Sequence, residues 1–282
     1  MHFGKKLLLI LIPSIFLLGL FIFIKVTLIK DTEIKIFGIT ISNKSTPKLP
    51  KEIQQNGRTK VKYSEDFTIV LLGDSMTERL GNSDELRAYL KNYYPKKTFE
   101  VLNYGFGSTN ILSVQERLEK ETMYGRKFRP ILDIAFDLIL IESFGNNPLS
   151  DFPLEEGLKK QNEALDKIVN FIRTVNPNAK IVFVATVAPN KRRYGEGVVR
   201  LDLEQKRIWV EERVAYIKNH IEYAKTHDIS LVNIFEKSLN SEGDGKLDFL
   251  DEHDYIHPSP NGIYFISQEI ANFIFENKIL SP

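Results

Sequence analysis

Five apolar runs, each followed by a stretch with helical spacing, divide the chain from residue 67 to residue 276 and fix its fold class. The runs are FTIVLL (67–72), FEVLNYG (99–105), FDLILIES (136–143), KIVFVAT (180–186) and ISLVNI (229–234). Each has strand length, is rich in β-branched or aromatic residues and shows little apolar–polar alternation, as strands buried on both faces do. The intervening stretches 84–93, 111–123, 154–175, 203–227 and 262–276 read as amphipathic helices. Strand–helix alternation of this kind predicts a five-stranded parallel sheet covered on both faces, a three-layer α/β/α sandwich with right-handed crossovers.

The first run breaks at Gly73 and delivers Asp74 and Ser75. In an open α/β sheet ligands bind outside the carboxyl ends of the strands, so Ser75 falls on the functional rim. A serine there is most often a helix cap, and it becomes a candidate nucleophile only with partners. Three other loops reach the same rim: Asn103-Tyr104-Gly105-Phe106-Gly107-Ser108, Gly145-Asn146-Asn147, and Asp254-Tyr255-Ile256-His257. Their residue types supply one mechanism. Ser75 attacks, and His257 takes its proton, because histidine is the side chain that titrates near neutrality. Asp254, three residues earlier, can orient the imidazole within one turn, and Pro258 stiffens the backbone at His257. The backbone amide of Ser75, an amide from the Gly107 turn and the side-chain amide of Asn147 can hold a developing oxyanion.

Gly-Asp-Ser after the first strand, Asn-x-Gly-x-Gly after the second, Gly-x-Asn after the third and Asp-x-x-His near the C-terminus resemble, in that order, the GDSL (SGNH) hydrolase superfamily. The resemblance covers about residues 68–274 and implies a flavodoxin-like fold and a serine hydrolase that needs no cofactor. Carried over residue by residue, it implies Ser75 as nucleophile, His257 as base, Asp254 as its orienting acid and Asn147 as the side-chain oxyanion donor. Many relatives carry glycine one place after Gly107, where this chain has Ser108, so either Gly107 or Ser108 is the second backbone donor. Pro148 stands where an aspartate often follows the motif asparagine.

Ahead of the domain at 66–282, residues 1–30 hold Lys5-Lys6 and then 18 uncharged residues, LLLILIPSIFLLGLFIFI (7–24). A run of that length can span a bilayer as a helix, and no small-residue cleavage site follows it. We expect an uncleaved membrane anchor, in preference to a signal peptide, with its N-terminus in the cytoplasm and the remainder outside the cell. Residues 31–65 read as a stalk, beginning with a short hairpin, IKIFGITI, turned at Gly38.

The composition narrows the partners. With 38 basic and 37 acidic residues the net charge is +1, which gives nucleic acid no electrostatic footprint. The absence of cysteine excludes thiol catalysis, disulfides and thiolate metal sites. The stretch 240–251 departs from a calcium loop at its first, third and last positions, and no metal is expected there. Arg192 and Arg193, in the loop after the fourth run with Tyr194 and Trp209 close behind, are candidate substrate contacts. His220 and His227 read as solvated histidines on a polar helix, and His253 as pointing away from His257. The substrate is expected to be an O-acyl ester, on a glycan or a short acyl lipid. An O-acyltransferase using the same residues and a non-catalytic glycan-binding protein on the same fold are the alternatives.

Overall fold

A computed structural model describes Ile34–Ile36, Ile39–Ile41 and residues 50–281. The chain forms two units, Met1–Lys48 and Leu49–Pro282. In the first, β1 (Ile34–Ile36) pairs antiparallel with β2 (Ile39–Ile41) in the expected hairpin, whose turn lies outside the described residues. The apolar run at 7–24 also lies outside them, and among the described residues no helix is long and apolar enough to cross a membrane.

The second unit contains, in order, β3 (Lys51–Gln55), β4 (Arg58–Lys62), β5 (Phe67–Gly73), α1 (Ser75–Glu78), α2 (Asp84–Tyr93), β6 (Phe99–Gly105), α3 (Val114–Glu119), β7 (Thr122–Tyr124), β8 (Arg126–Phe128), β9 (Leu138–Glu142), α4 (Leu154–Val175), β10 (Lys180–Ala185), α5 (Leu203–Thr226), β11 (Ser230–Asn233), α6 (Ile234–Lys237) and α7 (Pro260–Glu276). Its five-stranded sheet is parallel throughout, in the order β11-β10-β9-β5-β6. Counted by appearance among these five strands, the order is 2-1-3-4-5 from the β6 edge, the doubly wound flavodoxin arrangement.

The strands are apolar runs because neither face meets water. Side chains alternate along β5, so Val70 and Leu72 join a core with Ile139, Ile141, Leu165, Ile168 and Ile172, while Ile69 and Leu71 join another with Leu86, Leu90, Ile266, Ile270 and Ile274. Helices α4 and α5 cover one face, and α2 and α7 the other. The chain runs outward from β5 to β6 and then returns across β5 to β9. The carboxyl ends of β5 and β9 therefore flank the point where the winding reverses, which is where open α/β sheets hold ligands.

Two departures from the sequence reading are structural. The boundary expected at 65/66 lies inside the second unit, because β3 and β4 form an antiparallel hairpin within the expected stalk. Asn56 and Gly57 turn it with φ of 50° and 74°, the left-handed pair such a turn requires. Lys60 on β4 is fully buried and its ammonium donates to the Val175 carbonyl at the end of α4 (2.8 Å) and to Asn176 Oδ1, while Val61 bridges to Ile134. The helix expected at 111–123 stops at Glu119, and Met123 belongs to the β7–β8 hairpin, turned at Gly125.

Candidate active site

The end of β5 is packed too tightly for any side chain at Gly73: an added Cβ would meet Thr77 Oγ1 at 2.0 Å and Glu142 Cβ at 2.8 Å. The close packing turns the chain directly into α1, with Ser75 as its first residue. Asp74 caps that helix, its Oδ1 accepting from the Met76 amide at 2.8 Å. Its Oδ2 accepts from Asn147 Nδ2 at 2.9 Å, so the loop after β5 and the loop after β9 are joined by a partly buried hydrogen bond. One hydrogen of the Asn147 amide is thereby held, and the residue lines the cleft in which Ser75 stands.

Behind Asp74 lies Glu142, the last residue of β9. Its Oε2 accepts from the Asp74 amide (3.2 Å) and its Oε1 from Ser143 Oγ (2.7 Å) and the Phe144 amide (2.9 Å). Burial, and after it the charge of Asp74, push the Glu142 carboxyl well above its ordinary range. Burial also raises Asp74, against the hydrogen bonds from Met76 and Asn147. Both carboxyls of the pair are thus held above their ordinary range, Glu142 by burial together with the charge of Asp74.

Arg117 on α3 is buried in the same layer. Its Nη1 donates to the carbonyls of Gly73 (2.7 Å) and Tyr104 (2.9 Å), and its Nη2 to Thr109 Oγ1 (3.0 Å) and Ser113 Oγ (2.8 Å). It thus pins the ends of β5 and β6 to each other, with the rings of Phe106 and Phe144 at 4.8 and 5.4 Å from the guanidinium. Burial lowers its pKa to about 10, against the pull of Asp74 and Glu142, which leaves it charged at neutral pH. Neither Arg117 nor Glu142 is singled out by the sequence reading, although Arg117 sits between Val114 and Leu118 on the apolar side of its helix.

The loop after β6 separates the two candidate donors. The Gly107 amide is already engaged, donating to Tyr124 Oη at 2.8 Å, while that hydroxyl donates to Glu78 Oε1 at 3.0 Å. Ser108, one residue on, has φ of 57°, a conformation that favours glycine, and its amide has no hydrogen-bond partner among the described residues. Phe144 (φ 54°) and Tyr255 (φ 51°) also take left-handed backbone, so each of the three loops completing the rim carries a bulky or polar residue in a conformation that costs about 1–2 kcal/mol.

His257 faces the cleft from the C-terminal loop. Its Nδ1 lies 2.6 Å from Asp254 Oδ2, and Asp254 Oδ1 accepts from the amides of Ile256 (2.8 Å) and His257 (3.0 Å). Burial opposes the charge of Asp254, but the hydrogen bonds from the His257 side chain and backbone and from Ile256 outweigh it, and the carboxyl lies below its ordinary pKa. An ionised Asp254 can only accept, so Nδ1 carries the hydrogen and Nε2 of the neutral ring is free to take a proton. Among the described residues no hydrogen bond joins Ser75 Oγ to His257. Both line one open cleft of about 530 Å³, together with Arg79, Ser108, Asn147 and Trp209.

Other assignments fall elsewhere. Arg192, exposed and 3.7 Å from Glu242, and Arg193, which donates to Tyr255 Oη (2.7 Å) and pairs with Glu196, do not line the cleft. The arginines that do are Arg79 and Arg213. His220 is fully buried, stacked on Phe183 at 4.2 Å, and burial drops its pKa to about 3, so it is a neutral core residue and not a solvated one. His253 is exposed and pairs with Asp251, away from Asp254.

The GDSL-like Lipase/Acylhydrolase family model matches residues 71–263, which is most of the chain, and no curated protein matches it in sequence. Among solved structures, a lipase/acylhydrolase from Enterococcus faecalis is 17% identical, with 75% of this chain and 96% of that one covered at a TM-score of 0.53. An acetyl xylan esterase is 12% identical, covering 72% and 97% at 0.51. A GDSL-like lipase from Bacteroides thetaiotaomicron is 12% identical, covering 74% and 88% at 0.50. At these identities the likeness shows a shared fold. The matched motifs and this fold define an ester hydrolase, and the chain belongs to the GDSL-like lipase/acylhydrolase family.

Proposed function

We propose that the chain is a serine esterase acting through an acyl-enzyme. Ser75 Oγ attacks the ester carbonyl as its proton passes to His257 Nε2, and the carbonyl oxygen becomes an oxyanion received by the amides of Ser75 and Ser108 and by Asn147 Nδ2. The imidazolium, held by Asp254, returns the proton to the departing alcohol as the carbon–oxygen bond breaks, leaving an acyl-serine. Water then enters by the same route, giving up its proton to His257, and the acid leaves as Ser75 regains its hydrogen. The observation that carries this reading is the convergence of four loops on one cleft, with the Asp254–His257 pair closed at 2.6 Å beside Ser75. Ser75→Ala is expected to abolish hydrolysis of 4-nitrophenyl acetate, and full retention would end the assignment.

The substrate we favour is an O-acyl ester with a small acyl group, foremost O-acetyl on a glycan, with short acyl lipids next. Release of acid without any added acceptor alcohol separates hydrolysis from transfer. We further propose that residues 7–24 anchor the chain in the membrane, with Lys5 and Lys6 inside and the catalytic unit outside the cytoplasm, on the strength of the uncharged run and its basic flank. Protease added to intact cells would then remove the catalytic unit, and its protection would overturn this topology.

A further inference from the structure

We propose that Trp209 is a stacking platform for a sugar ring in the alcohol part of the substrate. This rests on the esterase reading above and narrows it to glycan esters.

Trp209 is the only tryptophan of the chain, and it stands on α5 at the wall of the cleft that holds Ser75 and His257. Trp209 is 38% exposed, which leaves part of a large apolar side chain open at the cleft wall. One turn later on the helix, the Arg213 guanidinium lies 4.8 Å from the ring centre. That guanidinium is itself fixed, its Nε donating to Tyr194 Oη at 2.6 Å and its Nη1 to the Trp209 carbonyl at 3.0 Å. Tyr194, whose ring is buried, donates from its hydroxyl to Asn146 Oδ1 at 3.4 Å, and Asn146 adjoins Asn147. The exposed ring is thus tied through Arg213, Tyr194 and Asn146 to the loop that carries the side-chain oxyanion donor. The contact with the held Arg213 guanidinium favours one placement of the ring before any ligand arrives, which lowers the ordering cost of binding.

The other side chains of the cleft choose between the two kinds of ester. Glu78, Arg79, Asn146 and Arg213 offer charge and amide groups, and Ile256 is the one aliphatic side chain among the described residues lining it. An alkyl chain leaving Ser75 would find Ile256 as its one aliphatic neighbour among the described residues lining the cleft, too little apolar surface to drive lipid recognition by burial. A pyranose presents an apolar face of axial hydrogens and an equatorial belt of hydroxyls. A flat exposed indole among polar side chains complements both.

Because Trp209 is the only indole, its emission reports directly on the platform. The full chain carrying Ser75→Ala is titrated with partially O-acetylated xylohexaose and chitohexaose and, in parallel, with dihexanoyl phosphatidylcholine below its micellar concentration. A saturable shift or quench with an oligosaccharide and none with the lipid is expected. Calorimetry on the same oligosaccharide should show binding weakened about tenfold or more in Trp209→Ala and within threefold in Trp209→Phe, which keeps a flat ring. No response to either oligosaccharide, a response to the lipid alone, or equal binding by Trp209→Ala would overturn the platform. Loss of 4-nitrophenyl acetate hydrolysis in Ser75→Ala alongside any of those results leaves the esterase reading standing, whereas retained hydrolysis removes the reading itself.

Discussion

Replacing Asn147 by alanine separates the proposed oxyanion role of its amide from the structural bond it makes to Asp74. One amide hydrogen is committed to Asp74 Oδ2 at 2.9 Å, and the side chain lines the cleft beside Ser75. Loss of an oxyanion donor costs about 10²- to 10³-fold in kcat, some 2.7–4 kcal/mol, with little change in KM because the donor acts on charge that exists only after attack. Loss of the bond to Asp74 has a different signature. Asp74 is fully buried, and removing one of its few donors costs about 1–3 kcal/mol of folding stability. For a unit of this size that lowers Tm by roughly 2–4 °C per kcal/mol. Steady-state kinetics on 4-nitrophenyl acetate and equilibrium urea denaturation measure the two effects independently. If kcat of Asn147→Ala stays within threefold of the parent while stability falls, Asn147 only buttresses Asp74 and the oxyanion assignment is refuted. A rise in KM at constant kcat would refute it equally, since it would place the contact in the ground state.

The loop after β6 is tested by Ser108→Gly, which keeps the amide and relieves the φ of 57°; thermal unfolding should show a gain of up to about 1 kcal/mol with activity retained, and Ser108→Pro, which lacks the amide, should be inactive. Asp254→Asn should lower kcat by about 10⁴-fold at constant fold, because an amide that donates toward Nδ1 stabilises the wrong tautomer, as kinetics with a circular dichroism control would show. Glu142 gives a pH prediction. A carboxyl raised in the folded state stays protonated where the unfolded chain has already ionised, so the native state binds more protons and stability falls as pH rises above the ordinary value of 4.5. Glu142→Gln should flatten that decline in urea midpoints measured across pH 4.5 to 8, and an unchanged slope would contradict a raised Glu142 carboxyl.

The sheet is legible in the sequence because β5, β9 and β10 are buried on both faces, which turns each into an unbroken apolar run, and α4 because its apolar stripe repeats over six turns. The β3–β4 and β7–β8 hairpins escape notice for the opposite reason: strands such as KEIQQ and RKF are short, polar and mostly exposed, so tertiary contacts and not pattern make them strands. Ser75, Asn147 and His257 can be picked out because motif glycines and a proline mark their loops. Arg117 and Glu142 cannot, since a buried charge is satisfied by carbonyls and amides that only the fold brings together. His220 carried a signal in its spacing: Ile217, Ile221 and Ala224 flank it on the buried stripe of α5, and the charged residues around them masked it. Loop position points to Arg192 and Arg193 as cleft residues, but the loop after β10 turns Arg193 onto Tyr255, and the arginines at the cleft are Arg79 and Arg213, the latter on α5 against Trp209.

Activation of Ser75 by His257 is tested most directly with a fluorophosphonate, which reacts only with a serine whose proton a base removes. The full chain is incubated with the probe and digested, and the adduct is located by mass spectrometry. The structure predicts a single phosphonylated peptide containing Ser75, absent in Ser75→Ala and formed at least about 10²-fold more slowly in His257→Ala. An adduct on another serine, or equal labelling of Ser75 without His257, would contradict it.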